Sequence, residues 1–171
     1  MMMIFLHFTR ENIMATVNEL IESYLEGPKL LRKALAGMNK EQLHSRPVPG
    51  KWSTLEVVCH LADFDPILAD RMKRVIAEDK PSLIGADEKR FAAALHYHER
   101  DVEEELAIID NTRRQLARIL CKLPAEALNR IGVHNERGPR TLEQLLTTAI
   151  NHIPHHVKFI QDKRQALGLK S

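Results

Sequence analysis

The chain has 171 residues, 44% of them apolar and 28% charged, with a formal net charge of +2, which is the make-up of an ordinary globular domain with one buried core. Lys and Arg alternate with Asp and Glu, so no basic stripe offers itself to nucleic acid, and no apolar run approaches the ~20 residues of a membrane span. The two cysteines, Cys59 and Cys121, fall outside any CxxC spacing, so there is no disulfide framework and a reducing cytoplasm is the expected setting.

The opening "MMMIFLHFTREN" is apolar and then charged. It is too short for a secretory signal and has no small-residue cleavage site. "MATVNELIESY", from Met14, reads as an alternative start. On that reading residues 1–13 are an extension and residues 14–167 form the single domain.

Strand signals are scarce and helical spacing dominates. The first helix is expected over Asn12 to Met38, with Val17, Leu20, Ile21, Tyr24, Leu25, Leu30, Leu31, Ala34 and Leu35 on its apolar face. Gly27–Pro28 should kink or split it. "NKEQLHSRPVPGKW" reads as a short helical turn and then a Pro/Gly loop. Ser53 with Glu56 forms a capping box that starts the second helix, in which Pro66 implies a bend. "KPSLIGADEKR" reads as a connector. The third helix is expected from about His98 to Leu123. "PAEALNRIGVHNERGPR" reads as a loop with one short turn. Thr141 and Gln144 form a second capping box, and the fourth helix runs to about Ala166, with Gly168 as its stop. Four long amphipathic helices in one domain give an all-α four-helix bundle with short extra turns in its connections. The long second-to-third connector permits an order other than simple up-down-up-down.

The chemistry centres on "NHIPHH", residues 151–156, which holds three of the nine histidines. At ~100° per residue His156 falls within the apolar stripe of the fourth helix and His152 at its edge, while His155 points away. His152 and His156, at i and i+4, can therefore offer two imidazoles to one metal ion. Pro154 lies between them and removes the hydrogen bond to the Ile150 carbonyl. A third ligand must come from elsewhere. His60 on the second helix is the best placed, but the pattern by itself does not choose it over His134. His7, His44, His96, His98 and His155 read as solvated. Cys59 reads as a small core residue, and Trp52 as packing against the bundle end. No G-x-S-x-G, phosphate-binding glycine loop or paired Glu-x-x-His motif is present.

"PGKWSTLEVVCHLADFD" and "RGPRTLEQLLTTAINHIPHHVKFIQ", with the opening "LIESYLEGPKLLRKALAGMNKEQL", resemble the DinB/YfiT-like superfamily over roughly residues 14–166. The resemblance implies an up-down-down-up bundle and a homodimer. It also implies a divalent metal on three histidines, which match His60, His152 and His156 here. Zinc or nickel is the expected ion, and a low-molecular-weight thiol is an expected cosubstrate. Three neutral imidazoles leave a coordination position open. Asp63, one turn after His60, is expected to orient a ligand imidazole or to act as a base. The expected function is a cytoplasmic metal-dependent hydrolase or thiol S-transferase on a small electrophilic substrate, with no nucleic-acid or membrane partner. The alternative is a non-enzymatic dimeric helical module whose histidine site is structural or vestigial.

Overall fold

The computed structural model describes residues 10–169. His7 and most of the expected N-terminal extension lie outside them. Among the described residues six α-helices and three short strands follow in the order α1 (Arg10–Leu35), α2 (Lys40–His44), α3 (Thr54–Ala77), β1 (Ser82–Leu83), α4 (Glu88–Ala94), α5 (Val102–Leu120), β2 (Ile131–His134), β3 (Gly138–Thr141) and α6 (Leu142–Ala166). The long helices α1, α3, α5 and α6 make the bundle. Side-chain pairings fix their directions. Asp63, Asp65 and Lys73 of α3 meet Arg100 just before α5 and then Arg113 and Gln115 of α5, so these helices run parallel. On α1, Tyr24 meets Arg113 and Arg32 meets Glu103 and Asp110, so α1 opposes α5. Arg164 of α6 reaches the Ala34 and Ala36 carbonyls, so α6 runs with α1. The order is up-down-down-up.

Both expected capping boxes form. The Glu56 amide donates to Ser53 Oγ at 3.1 Å and the Ser53 amide to Glu56 Oε2 at 2.6 Å. The Thr141–Gln144 pair repeats the arrangement at 3.1 Å each way. Each box ties down amide donors that a helix start otherwise leaves unpaired. At the other end of α6, Gly168 takes φ +71°, a left-handed residue closing the helix.

The core has an ionic layer between two apolar ones. One apolar cluster holds Ile21, Tyr24, Leu68, Met72, Leu116 and Leu146. The other holds Leu31, Val58, Leu61, Ile109, Ile153 and Ile160. Between them, fully buried Arg113 grips fully buried Asp65 through two hydrogen bonds, at 2.6 and 2.8 Å. The same guanidinium donates to the Tyr24 carbonyl of α1 and the Ala149 carbonyl of α6, each at 2.8 Å. One side chain of α5 thus binds all three other bundle helices.

Gly27–Pro28 serves this layer and does not split α1, which is continuous through Leu35. Proline 28 has no amide to give the carbonyl four residues back. That carbonyl belongs to Tyr24, and Arg113 supplies the missing donor.

The strands differ from the expected loop. β2 pairs antiparallel with β3 and parallel with β1, in the order β1-β2-β3. This small sheet packs on the C-terminal end of α3, where Arg130 donates to the Val75 carbonyl at 2.7 Å. A side chain on Gly132 would come within 2.8 Å of Leu83 and Val75, so the close approach requires glycine. The connector between α3 and α5 holds β1 and α4. The third long helix starts at Val102, a short 3₁₀ turn over Tyr97–Glu99 preceding it.

Candidate metal centre

His60 sits two turns into α3, opposite His152 and His156 on α6. Because α3 and α6 are antiparallel neighbours, residues so far apart in sequence share one level of the bundle. The ring centres stand 5.1 Å (His60–His152), 4.6 Å (His60–His156) and 4.8 Å (His152–His156) apart. One ligand nitrogen from each lies within 4.8 Å of the others. His60 and His156 are buried and His152 is partly so, while His155 is exposed, as the helical wheel requires. α6 is continuous through Pro154.

The nitrogens suit a metal. Nε2 of His60 and Nε2 of His152 are 3.1 Å apart. Two ligands 2.0–2.1 Å from a common ion, at a tetrahedral angle, stand about 3.3 Å apart. Nδ1 of all three histidines is buried without a hydrogen-bond partner among the described residues. Burial draws the His60 pKa down to about 4, against the pull of Asp63. Burial and the neighbouring His156, His60 and Arg113 draw His152 down to about 3. Burial, His60, His155 and Lys163 do the same for His156, also to about 3. All three are neutral at pH 7, the form in which imidazole donates a lone pair.

Aromatic rings wall the cluster. Trp52, just before the Ser53 cap, lies 5.4 Å from His60, so it packs on the site as well as on the bundle end. The Phe64 ring lies 4.4 Å from the same imidazole. Position 64 follows 60 by four residues, which is the one signal in the sequence that could have placed Phe64 here.

Asp63 pairs with Arg100 and not with an imidazole. Arg100 Nη1 donates to both of its oxygens, at 3.0 and 3.1 Å, while Nε and Nη2 of the same guanidinium donate to buried Glu105. No direct bond runs from Asp63 to His60 Nδ1, so the expected orienting contact does not form. Cys59 is a core thiol that burial pushes up to about 12, with Sγ donating to the Tyr97 carbonyl. His134 is buried at the end of β2, where its Nδ1 accepts from the Glu136 amide, and it takes no part in the cluster. His44, His96 and His98 are exposed, as expected.

Comparison with known proteins gives a family, named relatives and a shared fold. The DinB superfamily model matches residues 24–160. A "putative metal-dependent hydrolase" of Oceanobacillus iheyensis is 28% identical over 144 residues, covering 84% of this chain and 83% of the relative. Another so named, from Geobacillus thermodenitrificans, is 29% identical over 154 residues, covering 89% and 86%. The solved structure of YfiT from Bacillus subtilis superimposes with a TM-score of 0.84 at 24% identity, over 99% of this chain and 95% of that one. It is described as a "probable metal-dependent hydrolase with an unusual four-helix bundle topology".

Proposed function

This chain belongs to the DinB superfamily, and we propose that it is a metal-dependent hydrolase acting on a small electrophilic molecule. The observation that carries the reading is the convergence of three neutral imidazoles, two buried and one partly so, on one point. His60, His152 and His156 would hold a divalent ion, zinc or nickel before others, since imidazole suits both. Such an ion supplies Lewis acidity toward water, a thiol or a substrate carbonyl.

The chain's own residues do the rest. Trp52 and Phe64 stand against buried His60 and help keep bulk water from that imidazole. We assign Asp63 a positioning role in place of a base. Arg100 engages both of its oxygens, and the pair ties α3 to the segment just before α5. A low-molecular-weight thiol in place of water would make the same site an S-transferase. The chain is proposed to work in the cytoplasm as a homodimer. Among the described residues no helix is long and apolar enough to cross a membrane.

The test is turnover. Protein purified without a polyhistidine tag is loaded with zinc or nickel. It is then assayed on activated esters and amides, and on alkylating electrophiles with a small thiol. Metal-dependent turnover that His156→Ala abolishes supports the reading, and the productive assay separates hydrolase from transferase. Metal bound at three histidines with no turnover in any assay supports the non-enzymatic module instead.

A further inference from the structure

A second feature of the molecule lies one step along α3 from the histidines. A groove of about 490 Å³ is lined by Ile67, Arg71 and Arg74 of α3, by Leu83 and Ile84 around β1, and by Phe91 of α4, among others. That volume is in the range of small-molecule pockets. The histidines do not line it. Phe91 does, and its ring stands 5.5 Å from Phe64, which in turn lies 4.4 Å from His60. His60, Phe64, Ile67 and Arg71 follow one another by four, three and four residues, so they share one face of α3. At 1.5 Å per residue, Arg71 is ~16 Å along the helix from His60.

Arg71 is the unusual group in this groove. It is half-buried. Its Nε and Nη2 donate to the Ile84 carbonyl at 3.2 and 2.6 Å, and no carboxylate lies within 4.0 Å of it among the described residues. Arg74 at the same wall differs, since Asp70 and Glu78 hold it at 2.7 and 3.7 Å. Glu136 and Asp70 act on Arg71 only from farther off, and Arg137 repels it. A guanidinium has five N–H donors in a fixed fork, and a single carbonyl engages one edge of it. The backbone therefore holds Arg71 in place without neutralising it. Burial and Arg137 make that charge costly to keep, and an incoming oxyanion would relieve the cost.

We propose that this groove binds the body of the substrate and that Arg71 binds its oxyanion. The substrate class is a small, elongated, largely apolar molecule bearing a terminal carboxylate or phosphate, with its reactive bond at the histidine end. The inference rests on the hydrolase reading for the position of the reactive bond. The groove and its arginine stand apart from that reading.

The test is isothermal titration of the metal-loaded chain with three probes: 4-phenylbutyrate, its neutral amide, and 3-phenylpropyl phosphate. At least one anion should bind, and Arg71→Gln should weaken it tenfold or more. Arg71→Lys, which keeps the charge without the fork, should fall between. The amide should not distinguish wild type from variant. The tighter of the two anions identifies the oxyanion. Circular dichroism and metal content, both unchanged in Arg71→Gln, exclude misfolding as the cause. Anions that bind Arg71→Gln as well as wild type, or no anion binding at millimolar concentration, overturn the proposal. A chain that takes up neither zinc nor nickel yet binds an anion through Arg71 defeats the hydrolase reading and leaves this one standing. A metal-loaded, active chain without Arg71-dependent binding does the reverse.

Discussion

The Arg113 guanidinium fills the space that a side chain on Gly27 would need. A Cβ there would overlap Nη1 and stand 3.2 Å from both Cζ of Arg113 and Cδ1 of Ile153. Arg113 cannot withdraw, because its other donors hold Asp65 and the Ala149 carbonyl. Gly27→Ala should therefore destabilise the chain even though alanine is the better helix former, by about 1–3 kcal/mol as overpacking does. Arg113→Ala should cost more, about 3–5 kcal/mol, because it strands the buried Asp65 charge. Equilibrium denaturation in urea measures both. A Gly27→Ala variant as stable as wild type would contradict the clamp.

The histidines predict a division of labour in "NHIPHH". Single His60→Ala, His152→Ala and His156→Ala variants should each lose most bound metal. His155→Ala should keep it, since that ring is exposed and outside the cluster of ligand nitrogens. Elemental analysis of the four variants, normalised to protein, decides the matter.

The same residues set a pH dependence in the metal-free chain. In the unfolded chain each histidine titrates near 6.5. In the folded chain burial lowers the values to about 4, 3 and 3, opposed by Asp63 at His60 and reinforced by neighbouring basic groups at His152 and His156. Between those limits the unfolded state binds protons that the folded state refuses, so stability falls as pH drops below about 6.5. Each histidine contributes at most about 1.4 kcal/mol per pH unit. Thermal unfolding of chelator-treated protein from pH 7.5 to 5 should show the decline. His60→Asn/His152→Asn/His156→Asn should flatten it, and an equally steep decline in that variant would rule out these groups as the cause.

Asp63 separates a positioning role from a base. Asp63→Asn retains a hydrogen-bonding partner for Arg100 while removing the charge. Turnover should drop less than tenfold, with metal content unchanged and the pH–rate profile keeping its shape. Loss of a limb of that profile, with metal still bound, would make Asp63 the base.

The elements legible in the sequence are those with local causes. The two capping boxes set the starts of α3 and α6 because each closes within four residues. The i,i+4 spacing of His152 and His156 gave their common face for the same reason. Features made by distant chain segments were not legible. Gly27–Pro28 looks like a helix break when only α1 is considered, because Arg113 comes from 85 positions farther on. "IGVH" and "GPRT" are too short to alternate visibly, and Pro139 argues against a strand until β3 proves to be a sheet edge. Helical spacing left His60 and His134 undecided as third ligand. The antiparallel packing of α3 on α6 brings His60 to the cluster, whereas His134 points into the sheet end.

The central claim, that these three histidines form one metal centre, is tested most directly by metal stoichiometry. Tag-free protein is stripped with chelator, dialysed against zinc or nickel, and analysed for metal alongside its melting temperature. About one ion per chain is expected, with a rise in melting temperature that His152→Ala loses. Less than about a tenth of an ion per chain, or a melting temperature indifferent to both metals, would contradict it.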